Sequence, residues 1–136
     1  MKINKLYTYP KSMRSVINGG RHYDIDGSKL PSVTTILSAC QSDEKKASLE
    51  SWKARLGSKA ADEVRDTAAA RGTLMHTYLE HYLDGTGHKD LTPLGVQAEA
   101  MANKIIASGL GDLEELWGLE TTLYYPDLYA GATDVV

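Results

Sequence analysis

One uninterrupted helical pattern, residues 58–83, constrains this chain more than any other feature. Val64, Ala68, Gly72, Met75 and Leu79 recur at a spacing of four, four, three and four, which predicts an apolar stripe facing a core. Asp84-Gly85-Thr86-Gly87 supplies the stop. Inside this helix lies the run Arg71-Gly72-Thr73-Leu74-Met75-His76-Thr77-Tyr78-Leu79-Glu80. His76 and Glu80 stand four apart, so they project from one face about one turn apart. An imidazole and a carboxylate held that way can share a divalent metal or one substrate. Taken alone, the same pair also reads as a surface His–Glu contact or a hydrogen-bonded core histidine. Gly72 on the apolar stripe costs about 1 kcal/mol of helix stability relative to alanine and suggests close packing of another backbone. His81 lies about 100° further round the helix than Glu80 and is a rival to His76.

The flanking segments have their own local signals. Arg21 to Asp26 alternates and meets Asp26-Gly27, a hairpin turn. Ser32 is placed to cap a short helix starting at Val33. A second helix is predicted from Ser42 to Leu56, with Asp43 and Glu44 in its first turn, Leu49, Trp52 and Leu56 on its apolar side, and Gly57 ending it. Thr92-Pro93 opens a fourth helix that runs to about Ser108 and stops at Gly109, with Leu94, Ala98, Met101 and Ile105 facing inward. Beyond Trp117 the character changes. Leu119 to Tyr125 is rich in strand formers, Pro126-Asp127 turns, and Tyr129 to Val136 makes a second strand. The expected order is helices first (residues 1–115, mainly helical), then one hairpin (116–136). All 136 residues read as a single portion of one domain.

Composition narrows the function classes. Hydrophobic residues make up 42% and charged residues 24%, as in ordinary globular chains. The single cysteine, Cys40, excludes an internal disulfide and a cysteine-cluster zinc site, which fits a reducing, cytoplasmic compartment. A small buried residue is the plain reading of it. No apolar run reaches the roughly 20 residues of a membrane span, and the basic N-terminus lacks the apolar stretch of a signal peptide. Residues 1–60 hold 11 Lys and Arg against 5 Asp and Glu, whereas residues 61–136 hold 4 against 13. A basic front and an acidic rear suit a protein that grips phosphates with one end and metal with the other. Many solvated surfaces are equally lopsided.

The final strand carries Gly131-x-x-Asp134. Gly131 weakens a strand, and close approach by a backbone or a ligand is one reason to keep it. Alternation puts Ala130, Ala132, Asp134 and Val136 on one face. A carboxylate among alanine and valine is costly to bury unless a positive partner, such as a metal ion, accompanies it. An edge-strand aspartate reaching water is the plain alternative.

Several segments in order carry a resemblance: Arg21-His22-Tyr23; Leu30-Pro31-Ser32-Val33-Thr34-Thr35-Ile36-Leu37; Leu49-x-x-Trp52-Lys53-x-Arg55; Arg71-Gly72-Thr73-x-x-His76-x-x-x-Glu80; and Glu120 with Gly131-x-x-Asp134-Val135-Val136. The chain resembles the PD-(D/E)XK nuclease superfamily in its RecB-like branch, closest to exonucleases of tailed phages and to the mitochondrial genome maintenance exonucleases. The resemblance implies an α/β fold with a restriction-endonuclease-like core, N-terminal helices, and a central sheet that here stops after its first hairpin. It implies a metal-dependent DNA exonuclease of phage replication or recombination, working in the cytoplasm of an infected host cell on single-stranded DNA or DNA ends.

Residue by residue, His76 matches the helix histidine that reaches the metal, Asp134 the first metal-binding aspartate, and Glu80 the acidic residue after the histidine. His76, Asp134 and Glu80 are thereby the candidate catalytic residues, and His76 and Asp134 the candidate ligands of Mg²⁺ or Mn²⁺. Arg71, Arg21, Lys53 and Arg55 would contact DNA phosphates. Ser32 and Thr34 would position the strand, with helix capping an equal alternative for both. The family's second acidic residue and its lysine have no match here, so little hydrolysis is expected from this chain alone. A fragment, a split gene whose second chain completes the site, and a decayed copy all fit. A non-catalytic module binding single-stranded DNA is the alternative function.

Overall fold

The computed structural model describes all 136 residues, Met1–Val136, as a mixture of helix and strand. In chain order the elements are β1 (Lys2–Ile3), β2 (Met13–Ile17), β3 (Gly20–Ile25), β4 (Ser28–Pro31), α1 (Val33–Ala39), α2 (Asp43–Leu56), α3 (Ser58–Asp84), α4 (Pro93–Ile105), β5 (Glu115–Leu116), β6 (Leu119–Tyr125) and β7 (Tyr129–Val135). A single π-helical turn, Ile106–Leu110, prolongs α4. No helix is long and apolar enough to cross a membrane. Two compact units emerge. One gathers Lys2–Lys46 with Glu115–Val136, and the other is essentially Ala47–Glu114.

The first unit is built on strands. β2, β3 and β4 form an antiparallel meander, β6 pairs with β7, and β1 lies parallel to β5. Two hairpin turns follow from local chemistry. Asn18-Gly19 has φ of 51° and 77°, and Asp26-Gly27 has φ of 52° and 84°. Two successive positive φ values match the right-handed twist of the flanking strands, and Asn-Gly and Asp-Gly adopt them most easily. The expectation that helices precede all of the sheet is therefore corrected, because the chain before α1 is already a three-stranded sheet. The Asn-Gly signal at residues 18–19 marks its first hairpin. Tyr23, Ile25, Leu30 and Ala130 make this unit's core, so β7 packs where β3 and β4 bury their apolar side chains.

Ser32 closes β4 and opens α1. Its hydroxyl accepts from the Thr35 amide at 3.0 Å, which satisfies one of the orphan donors of the helix. Ser32 also bridges to Ala130 of β7 in parallel fashion. A Cβ built on Gly131 would lie 3.3 Å from Val33 Cγ2, so the glycine gives room to the first side chain of α1 and not to a backbone. Cys40, at the end of α1, is exposed.

The second unit pairs α3 with α4. Thr92 caps α4 through the Gly95 amide at 3.0 Å, with Pro93 at the first helical position. Gly85 ends α3 in the left-handed conformation, φ 74°. The interhelical contact is turned from the expected one. α4 buries Gly95, Ala98 and Ala102, while Met101 and Ile105 stay exposed. Small side chains at this i, i+3, i+7 stripe leave space for the Tyr78 ring of α3, with Leu74, Met75 and Leu79 packed around it. The lower half of the predicted α3 stripe is thus partly buried, but Val64 is 50% exposed and a Cβ on Gly72 would meet nothing within 4 Å. α2 buries no residue, and its Leu49 and Leu56 lie in the solvent.

Candidate metal centre and adjoining groove

Glu120 and Asp134 define the most unusual point on the β6–β7 ladder. The register pairs Leu119 with Val135 and Thr121 with Thr133, which puts Glu120 opposite Asp134 on the rung between them. Glu120 has φ 50°, a left-handed backbone that a residue with a long side chain seldom adopts. Such outliers cost on the order of 1–3 kcal/mol and gather at functional positions. Both side chains are exposed, and their carboxylate oxygens lie within 4.8 Å of each other. Like charges placed directly across a ladder repel. A divalent ion between them turns that repulsion into shared attraction. Bonds of about 2.1 Å let one ion span up to about 4.2 Å between two oxygens, so a small side-chain rotation brings both within reach. All-oxygen donors of this kind suit Mg²⁺ and Mn²⁺.

His76 and Glu80 belong to the other unit, both exposed on α3. Arg71 lies on the same helix but about 140° round it from His76. Its guanidinium donates to Gln97 Oε1 of α4 at 3.4 Å, so it does not share the His76 face. His81, the rival histidine, is taken up locally. Its Nδ1 is 2.7 Å from the Thr86 hydroxyl, and its ring stacks on His88 at 4.9 Å. Lys53 and Arg55 are exposed on α2, about 200° apart, and so present two faces instead of one.

Arg21 on β3 and Ser32 and Thr34 at the start of α1 are brought together. All three line one groove of about 490 Å³ in the first unit. Ser32 is 2% exposed, and its hydroxyl meets those of Thr34 at 3.0 Å and Thr35 at 2.8 Å as well as the Thr35 amide. Its capping role therefore occupies it. Thr34 and Arg21 are both exposed. Three further lining residues were not foreseen: Tyr124, Tyr125 and Tyr129 of the β6–β7 hairpin. The rings of Tyr125 and Tyr129 are stacked with centroids 5.8 Å apart. Three tyrosines within six residues were the available signal, together with Thr133, a groove residue next to Asp134. Glu120 was likewise quoted only as part of the resemblance and not as a site residue.

No family model, no curated protein and no solved structure matches the chain.

Proposed function

We propose that this chain carries the metal- and DNA-binding residues of a metal-dependent DNA exonuclease with a restriction-endonuclease-like core, acting on phage DNA in the cytoplasm of the host. The observation that carries this reading is the Glu120–Asp134 pair, two carboxylates opposed on one rung with Glu120 in a left-handed backbone. In this reading Asp134 and Glu120 hold Mg²⁺ or Mn²⁺. The resemblance assigns His76 a ligand role as well. Held by these carboxylates, Mg²⁺ or Mn²⁺ would supply Lewis-acid chemistry for phosphodiester hydrolysis. Glu80, one turn beyond His76, holds the imidazole in its ligating orientation or accepts the proton of the attacking water. Arg71, Lys53, Arg55 and Arg21 neutralise phosphates, and the Thr34 hydroxyl positions the strand. No residue matches the lysine that would stabilise the developing charge, so hydrolysis by the chain alone is slow or absent.

The groove favours a second reading, a module that binds single-stranded DNA without cleaving it. One experiment separates the two. An end-labelled single strand is incubated with the chain in Mn²⁺ and in EDTA, with fluorescence anisotropy recorded in parallel. Manganese-dependent binding or shortening of the strand that Asp134→Ala abolishes supports the nuclease. Binding in EDTA with no shortening, and no manganese affinity, supports the binding module. Neither binding nor shortening overturns both.

A further inference from the structure

The groove wall and the carboxylate pair lie on the same two strands, and this fixes their separation. Tyr124, across from Ala130, stands four residues from Glu120 on the same face of the hairpin, and the Tyr125–Tyr129 pair stands five residues away on the other face. At about 3.3 Å per residue that is roughly 13–17 Å along a rigid ladder. Tyr124, Tyr125 and Tyr129 are 44%, 56% and 40% exposed, so their ring faces remain accessible after folding. Large apolar rings left in water on a groove wall are costly unless something flat covers them. The same groove is also lined by Arg21 and Thr34, a cation and a hydroxyl-bearing residue, beside the apolar Val33. The pattern asks for a ligand with a flat apolar part on one side and an anionic part on the other.

We propose that the groove is a base-stacking subsite. The unpaired bases of a DNA strand lie on Tyr124 and the Tyr125–Tyr129 pair, and the backbone phosphate faces Arg21. This rests on the nuclease reading. The tyrosines thereby position the strand, and they do not take part in bond breaking. A stacked base contributes sequence-tolerant affinity, since every base has a π-face.

The test uses the full chain in EDTA, so that metal plays no part, and a fluorescein-labelled 15-nucleotide single strand. Tyr124→Ala and Tyr129→Ala each weaken binding by about 5- to 100-fold. Tyr124→Phe and Tyr129→Phe, which keep the ring, bind within about twofold of the wild type and guard against misfolding. A strand of the same length made of abasic sites binds the wild type as poorly as the intact strand binds the alanine variants. Equal affinity of the abasic and intact strands overturns the proposal, as does unaltered binding by the alanine variants or preference for an apolar peptide over DNA. Manganese titration without DNA is read separately. Failure there sinks the metal centre and leaves the subsite standing, and the converse holds as well.

Discussion

Glu120 sits opposite Asp134 on the β6–β7 ladder, with its backbone at φ 50° and its carboxylate oxygens within 4.8 Å of those of Asp134. Strand pairing alone favours neither the left-handed backbone nor two acids on one rung. Both features become favourable together when a divalent ion is held between the side chains, and a mutant cycle is the direct probe of that coupling.

Asp134→Asn and Glu120→Gln each lower Mn²⁺ affinity at least about tenfold, measured by calorimetric titration. The double variant is scarcely weaker than the worse single variant, because both changes remove the same ion and residues sharing a partner are not additive. Additive losses would show that the two carboxylates do not act on one ion.

Ser32 and Thr34 separate capping from binding. Ser32→Ala removes a buried hydroxyl that serves the Thr35 amide and two neighbouring hydroxyls, so stability falls by about 1–2 kcal/mol in chemical denaturation. Thr34→Ala leaves stability within about 0.5 kcal/mol and weakens DNA binding. A stable Ser32→Ala variant with impaired DNA binding would assign Ser32 to the ligand instead of the helix.

Gly95→Ala is destabilising although alanine is the better helix former. The added Cβ would lie 2.5 Å from Asp90 Oδ1 and 2.6 Å from the Asp90 backbone oxygen. The backbone atom cannot swing aside. Overpacking costs about 1–3 kcal/mol, against a propensity gain of up to about 1 kcal/mol, so a net loss of about 1–2 kcal/mol is expected in urea unfolding. A gain would mean that the Asp90 loop yields freely.

Asp90 makes the α3–α4 connection acid-sensitive. Hydrogen bonds from the Thr92 hydroxyl at 2.6 Å and the Thr92 amide at 2.9 Å hold its carboxyl below the ordinary value of 3.8. A depressed folded-state pKa adds stability that is complete above the unfolded value and disappears as pH falls through the folded one. Wild type therefore loses stability below about pH 4, and Asp90→Ala, less stable at neutral pH, loses less there. Thermal melts between pH 7 and pH 2 check this by whether the two curves converge at the acid end.

The sequence by itself determined the parts of this protein that depend on near neighbours. The Asp26-Gly27 turn, the Ser32 and Thr92 caps, the Gly85 stop and the terminal hairpin all rest on backbone chemistry within a few residues, and each was legible. The Asn18-Gly19 hairpin had the same kind of signal, and its strands are where the expected helical front gave way to sheet. Burial was less legible. Periodicity offered Leu94, Ala98, Met101 and Ile105 for the inner face of α4; Ala98 is buried there, but around the bulk of Tyr78 it is joined by Gly95 and Ala102 instead of Met101 and Ile105. Only the tertiary structure placed Arg21 and Thr34 in one groove with tyrosines about a hundred residues later in the chain. The register across Pro126–Leu128 likewise set Glu120 against Asp134. Contacts at such separation depend on how whole strands align, and a local pattern carries no record of that alignment.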